Sequence, residues 1–136
     1  MICIFCAIVA RDAESSIVYE DDAVLAFMDI RPITRGHLLV IPKRHAEGLA
    51  ELDPADGGAM YRAARTIGAA LRTTSDVDGI NLLQADGADA GQEVFHAHLH
   101  VIPRRRGDGI GLSGASPTMP PRAVLDDAAA AVRALL

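Results

Sequence analysis

Hydrophobic positions along this chain recur with two periods, and the periods mark its elements. Ile17-Val18-Tyr19 and Ala23 to Met28 flank the charged trio Glu20-Asp21-Asp22, the pattern of two strands joined by a tight polar turn. His37 to Pro42, continuously apolar from Leu38, reads as a central strand ended by its proline. Ile80-Asn81-Leu82-Leu83 predicts a fourth strand. The fifth is His96-Ala97-His98-Leu99-His100-Val101-Ile102-Pro103, whose period of two sets His96, His98 and His100 on one face and Ala97, Leu99 and Val101 on the other. Helical spacing appears at Met60, Ala64, Ile67 and Leu71. Asp53 can cap that helix, Pro54 fits its first position and Asp56 suits the positive end of its dipole. Cys3 to Ala10 predicts a short helix or turn, and Val124, Ala128, Val132 and Leu135 predict a last, alanine-rich amphipathic helix. Gly87 to Gly91 is a loop of small residues. The Gly-, Ser- and Pro-rich stretch 107–121 is expected to be mobile or draped over the surface.

The sum is an α+β domain, an antiparallel sheet with one long helix packed on it. Its length of 136 residues fits a single domain over 1–136, with a core of about 3–104 and a C-terminal extension of 105–136. Thirteen basic against 18 acidic residues give a net charge of −5, which argues against wrapping bulk nucleic acid but leaves room for a small phosphorylated ligand. The sequence contains neither an apolar run of membrane-spanning length nor a secretory leader, so a cytoplasmic protein is expected. Cys3 and Cys6, the only cysteines, stand as a C-x-x-C pair, which in a reducing compartment points to metal or redox chemistry.

Three of the five histidines occupy the alternating row. Imidazoles titrate near physiological pH and are poor filler for a strand face. Two uses compete: metal ligation as in zinc hydrolases, with water in an open position, and nucleophilic catalysis, in which one imidazole attacks while its neighbours orient it and manage protons.

The stretch Gly91-Gln92-Glu93-Val94-Phe95-His96-Ala97-His98-Leu99-His100-Val101-Ile102-Pro103-Arg104 resembles the signature of the histidine-triad (HIT) family of nucleotide phosphoryl-bond hydrolases and transferases. Asp29-Ile30-Arg31-Pro32 and Gly36-His37-Leu38-Leu39-Val40-Ile41-Pro42-Lys43-Arg44-His45 resemble its other hallmark. The resemblance implies a HIT-like fold, a five-stranded antiparallel sheet, and pairing into homodimers that extend it. It casts His98 as the nucleophile toward the α-phosphorus of a nucleotide conjugate, with His100 and His37 polarising phosphate and relaying a proton. Gln92 would contact phosphate, Asp29 the ribose hydroxyls, and Phe5, Ile8, Phe27 and Ile30 the base. The small-molecule substrate would be a purine phosphoramidate, phosphosulfate or dinucleoside polyphosphate. The alternative is a nucleotide-binding or regulatory module with incidental hydrolysis. His100, where the hexose-phosphate uridylyltransferase branch carries glutamine, favours hydrolysis.

Similarity to bacterial-type members also implies a structural zinc site, pairing Cys3 and Cys6 with His45 and His96. The chain departs from the family pattern at three places. Ala85 stands where many members carry asparagine, Glu93 where Hint-type members often carry serine, and no tryptophan is present near the C-terminus.

Overall fold

The computed structural model describes residues 3–111 and 118–136. Helix α1 (Ile4–Val9) precedes the hairpin β1 (Ile17–Glu20) and β2 (Val24–Met28), and β3 (Leu38–Pro42) leads to the long helix α2 (Pro54–Leu71). Strands β4 (Gly79–Leu83) and β5 (Leu99–Arg104) complete the sheet, and α3 (Arg122–Arg133) follows. All five strands pair antiparallel, as the family resemblance implies, in the order β1-β2-β3-β5-β4. Helix α2 starts where its sequence says: the Asp53 carboxylate accepts from the Ala55 amide at 2.8 Å, with Pro54 at the first turn.

Strands β2 and β3 are buried on both faces, and parity divides them. Val24, Ala26, Leu38 and Val40 face Ala59, Met60, Ala63 and Ala64 of α2. Leu25, Phe27, Leu39 and Ile41 face Phe5 and Ile8 of α1. Each large side chain so buried contributes about 1.5–3 kcal/mol relative to exposure. His37 and His100 share the α1 side: His37 has the parity of Leu39, and His100 lies directly across from Leu39 in the β3–β5 ladder. One face of the sheet is thus given to scaffold and the other to chemistry.

The histidine row differs from the expected continuous strand. Its ladder begins only at Leu99, because the backbone before it is used elsewhere. The Ala97 amide donates to the Ala46 carbonyl at 2.7 Å, and the His96 carbonyl accepts from the His98 ring. The three imidazoles therefore do not form one row on one strand face. Helix α3 is present as predicted, with Leu135 beyond its end, and every one of its residues is exposed. Of the stretch expected to be mobile or draped, residues 112–117 lie outside the described residues. No helix among the described residues is long and apolar enough to cross a membrane.

Candidate functional site

His96 turns its ring toward the N-terminal helix. Its Nε2–H donates to the Pro42 carbonyl at 2.7 Å, which leaves the Nδ1 lone pair facing the cysteines. From Nδ1 the distances are 3.5 Å to Cys3 Sγ, 3.6 Å to Cys6 Sγ and 3.3 Å to His45 Nδ1, and Cys6 Sγ lies 3.4 Å from His45 Nδ1. A tetrahedral ion with M–S of about 2.3 Å and M–N of about 2.0–2.1 Å requires S···N separations near 3.5 Å and N···N near 3.3 Å. Cys3, Cys6, His45 and His96 therefore fit a four-coordinate metal with no ligand position to spare. Burial and the neighbouring Cys3 push the Cys6 thiol up. A cation would reverse that by stabilising thiolate.

The backbone carbonyl of His96 performs a second task. It accepts the His98 Nδ1–H at 2.7 Å, which fixes the tautomer of the next imidazole and leaves its Nε2 lone pair free. A similar chain of donors runs through the other two rings. The Ile33 amide donates to His37 Nδ1 at 3.0 Å, so the proton of neutral His37 sits on Nε2 and donates to His100 Nδ1 at 2.9 Å. His100 then carries its own proton on Nε2. Asp29 Oδ2 lies 3.6 Å from His37 Nε2. Asp29, His37 and His100 are close enough to suggest a metal, but binding through His37 Nε2 would move its proton to Nδ1, against the Ile33 N–H. The hydrogen bonds thus leave His37 no free ring nitrogen to offer a metal.

Burial favours the neutral form of both rings. His37 is lowered from its ordinary range by burial, against the opposing pull of Asp29. His100 is pulled down to about 4 by burial, and by His98 and His37 beside it. Between pH 6.5 and 4 the unfolded chain consequently binds a proton that folded His100 refuses. The stability that neutral His100 supports is complete above pH 6.5 and is lost as the pH falls toward 4. A His100→Gln variant should lose stability less steeply over that window than the parent, read from denaturant midpoints. Parallel curves would refute the assignment.

Asp29, His37 and His100 open into a cavity of about 590 Å³, within the size range of small-molecule sites. Phe5, Ile8, Phe27, Ile30 and Leu39 supply apolar walls, and Asp29, His37, His98 and His100 converge at the polar end. Phe5 meets Phe27 edge-on with centroids 5.3 Å apart and meets His98 at 5.3 Å, so it is both core and wall. Of the four side chains expected at a base, Phe5, Ile8 and Phe27 are buried, whereas Ile30 stands 92% exposed at the rim. Asp29 also serves as a turn residue, accepting from the Arg31 amide at 2.8 Å.

Comparison with known proteins agrees with this geometry. The HIT domain profile matches residues 10–107. The chain belongs to the HIT domain family. An uncharacterized HIT-like protein of Borreliella burgdorferi is 50% identical over 111 residues, 80% of each chain. The adenylylsulfatase HINT3 of Arabidopsis thaliana is 40% identical over 106 residues, 78% of this chain and 54% of that one. A zinc-bound histidine triad family protein of Mycobacterium smegmatis superposes with a TM-score of 0.77 at 41% identity, covering 93% of this chain and 96% of that one.

Several contacts in this HIT domain had no signal in the sequence. Gln92, expected at phosphate, is buried outside the cavity lining and its amide is fully engaged. Its nitrogen donates to the Glu47 and Val94 carbonyls at 2.7 and 3.1 Å, and its oxygen accepts from Gly87 at 2.8 Å. In this arrangement it clamps the loop before β5 against the segment that carries His45. Asp86 adds a second tie, to the Leu49 amide at 3.1 Å, and passes so close to Gly48 that a Cβ there would lie 1.9 Å from its Oδ1. Beside Ala85, the Gln84 amide nitrogen is buried with no hydrogen-bond partner. Glu93 reaches across the cavity mouth to Arg31. Backbone donors and acceptors such as Ile33, Pro42 and His96 have no side-chain signature to search for.

Proposed function

We propose that this HIT protein is a nucleotide hydrolase that cleaves at the α-phosphate of a purine nucleotide conjugate through a covalent nucleotidyl-His98 intermediate. The observation that carries the proposal is the 2.7 Å hydrogen bond from His98 Nδ1 to the His96 carbonyl, which turns the ring so that Nε2 is the nitrogen left to attack, at the polar end of an apolar cavity. His98 Nε2 forms a bond to phosphorus as the bond to the leaving group breaks. That electron pair goes to the leaving group, which takes the His100 Nε2 proton as the His37 Nε2 proton moves to His100 Nδ1 and solvent beside Asp29 reprotonates His37 Nε2. Water then attacks phosphorus, its proton leaves by the same relay, and the P–N pair returns to Nε2. Such acid–base assistance is worth about 10²–10⁴-fold. Asp29 is placed to hold ribose, and Phe5, Ile8, Phe27 and Ile30 to hold the base. The adenylylsulfatase activity named for the Arabidopsis relative supports the reaction class. Rapid quenching during turnover of adenosine phosphoramidate should reveal a nucleotidyl adduct on His98; product formed without any adduct would remove the mechanism.

The same proposal includes a structural zinc ion on Cys3, Cys6, His45 and His96, consistent with the donor spacing and with the zinc-bound mycobacterial relative. The cytoplasm, where thiols stay reduced, suits that ligand set. It also includes a homodimer through the free edge of β4. Leu82 and Leu83 are exposed there beside Tyr61 of α2, an uncovered apolar edge of the kind that pairs with another strand. Leu82→Glu should convert a sedimenting dimer to monomer; a parent chain that already sediments as a monomer rules the dimer out.

A further inference from the structure

The lining of the active cavity carries an unusual charge balance for a site that receives phosphate. Among the described residues its carboxylates are Glu14, Asp29 and Glu93, and Arg31 is its single guanidinium. The chain's only lysine, Lys43, is engaged with Glu20 on another part of the surface. Burial holds His37 and His100 neutral, so neither adds a positive charge at neutral pH. Arg31 itself is not free, because its guanidinium meets the Glu93 carboxylate at 2.5 Å. This pair joins the two lips of the cavity, the loop after β2 and the loop before β5. Both members are held from behind: Arg31 by its amide on Asp29, and Glu93 by its position between Gln92 and Val94, which the Gln92 clamp fixes. Both side chains are about three-quarters exposed (77% and 73%), so as an ion pair they add little stability. Their placement matters more for what they present to a ligand that reaches past the α-phosphate.

A leaving group with further phosphate or sulfate would bring negative charge to a cavity whose three carboxylates outnumber its one guanidinium, and the Arg31 contact uses one oxygen of Glu93 and leaves the other open to a donor. A leaving group joined through nitrogen and carrying an amine would donate to Glu93 instead. We propose that Arg31 and Glu93 determine leaving-group specificity, selecting amine-bearing conjugates of the nucleotide over polyanionic ones. This rests on the nucleotidyl-transfer function above and narrows it. Charge selection of this kind comes from matching the potential of the site and discriminates against like charge, while the exposed position limits it to modest factors.

The test uses the His98→Asn protein, purified without chelator, so that ligands bind without being consumed. Three phosphoramidates of adenosine monophosphate, made with 1,2-diaminoethane, propylamine and glycine, share the P–N link and differ in the charge of the leaving group. Calorimetry should show affinity falling in that order, with the cationic conjugate about tenfold tighter than the anionic one at low salt and a smaller ratio at ~0.15 M. Glu93→Gln should shrink the ratio several-fold, chiefly by tightening the glycine conjugate. Arg31→Gln should widen it by leaving Glu93 uncountered. Equal affinities, an inverted order, or a ratio that Glu93→Gln leaves unchanged would overturn the inference while adenosine monophosphate still bound. Failure of adenosine monophosphate itself to bind would overturn the nucleotide function and this inference together.

Discussion

Replacing His98 by asparagine is expected to lower kcat by roughly 10⁴-fold or more while binding of adenosine monophosphate changes less than about threefold. Asparagine is close in size and keeps an N–H that can donate to the His96 carbonyl, so the 2.7 Å contact that orients this side chain has a replacement. It lacks a nucleophilic lone pair on nitrogen, so no P–N bond can form. The base walls, Asp29 and the His37–His100 pair are untouched, which is why binding and turnover should separate. His100→Gln and His37→Gln should cost less, about 10²–10⁴-fold, because they remove proton handling and leave the attacking atom in place. Turnover by His98→Asn within tenfold of the parent, with product still forming, would show that another group attacks. A parent protein that binds the nucleotide tightly but never turns over would identify a binding module.

The second large effect concerns the cluster at the other end of His96. Protein purified without chelator should carry about one equivalent of zinc, and Cys3→Ser or Cys6→Ser should lose it. Each loss should lower stability by about 3–5 kcal/mol, a fall in Tm of ~10–20 °C for a domain of this size. The reason lies in what the four ligands connect: α1, the segment after β3, and the approach to β5. Without an ion, two thiols and two imidazoles remain packed with their lone pairs converging. None of the four ligand side chains belongs to the relay, yet kcat should fall with the metal, because the residue that supplies a ring to the cluster supplies a carbonyl to His98. Metal analysis and thermal unfolding decide the matter together. A folded, metal-free preparation with the parent Tm would remove the structural role.

Much of this architecture was legible before any coordinates. Short apolar runs between polar turns and one alternating histidine run located the five strands, the Asp53-Pro54 pair located the start of α2, and the two histidine-bearing blocks marked the family. Cys3 and Cys6 pointed to a metal. Local patterns carry that information because strand and helix periods, caps and side-chain chemistry are written residue by residue. The row His96-Ala97-His98-Leu99-His100 shows the limit. Alternation implied one face of three imidazoles, whereas the fold sends His96 to the cysteines and joins His98 and His100 to the cavity.

Gln92 shows the same limit from the other side. Its place in the motif suggested a phosphate contact, and its amide instead satisfies three backbone groups. Arg31 and Glu93, separated by 62 positions, carry no local sign of being partners. The sequence by itself determined which elements form, which side chains have the chemistry, and which family the chain resembles. Tertiary structure alone decided which ring nitrogen holds a proton, which amide is already engaged and which charge is countered. Those depend on long-range approaches of backbone carbonyls and amides, which every residue possesses and no residue type announces.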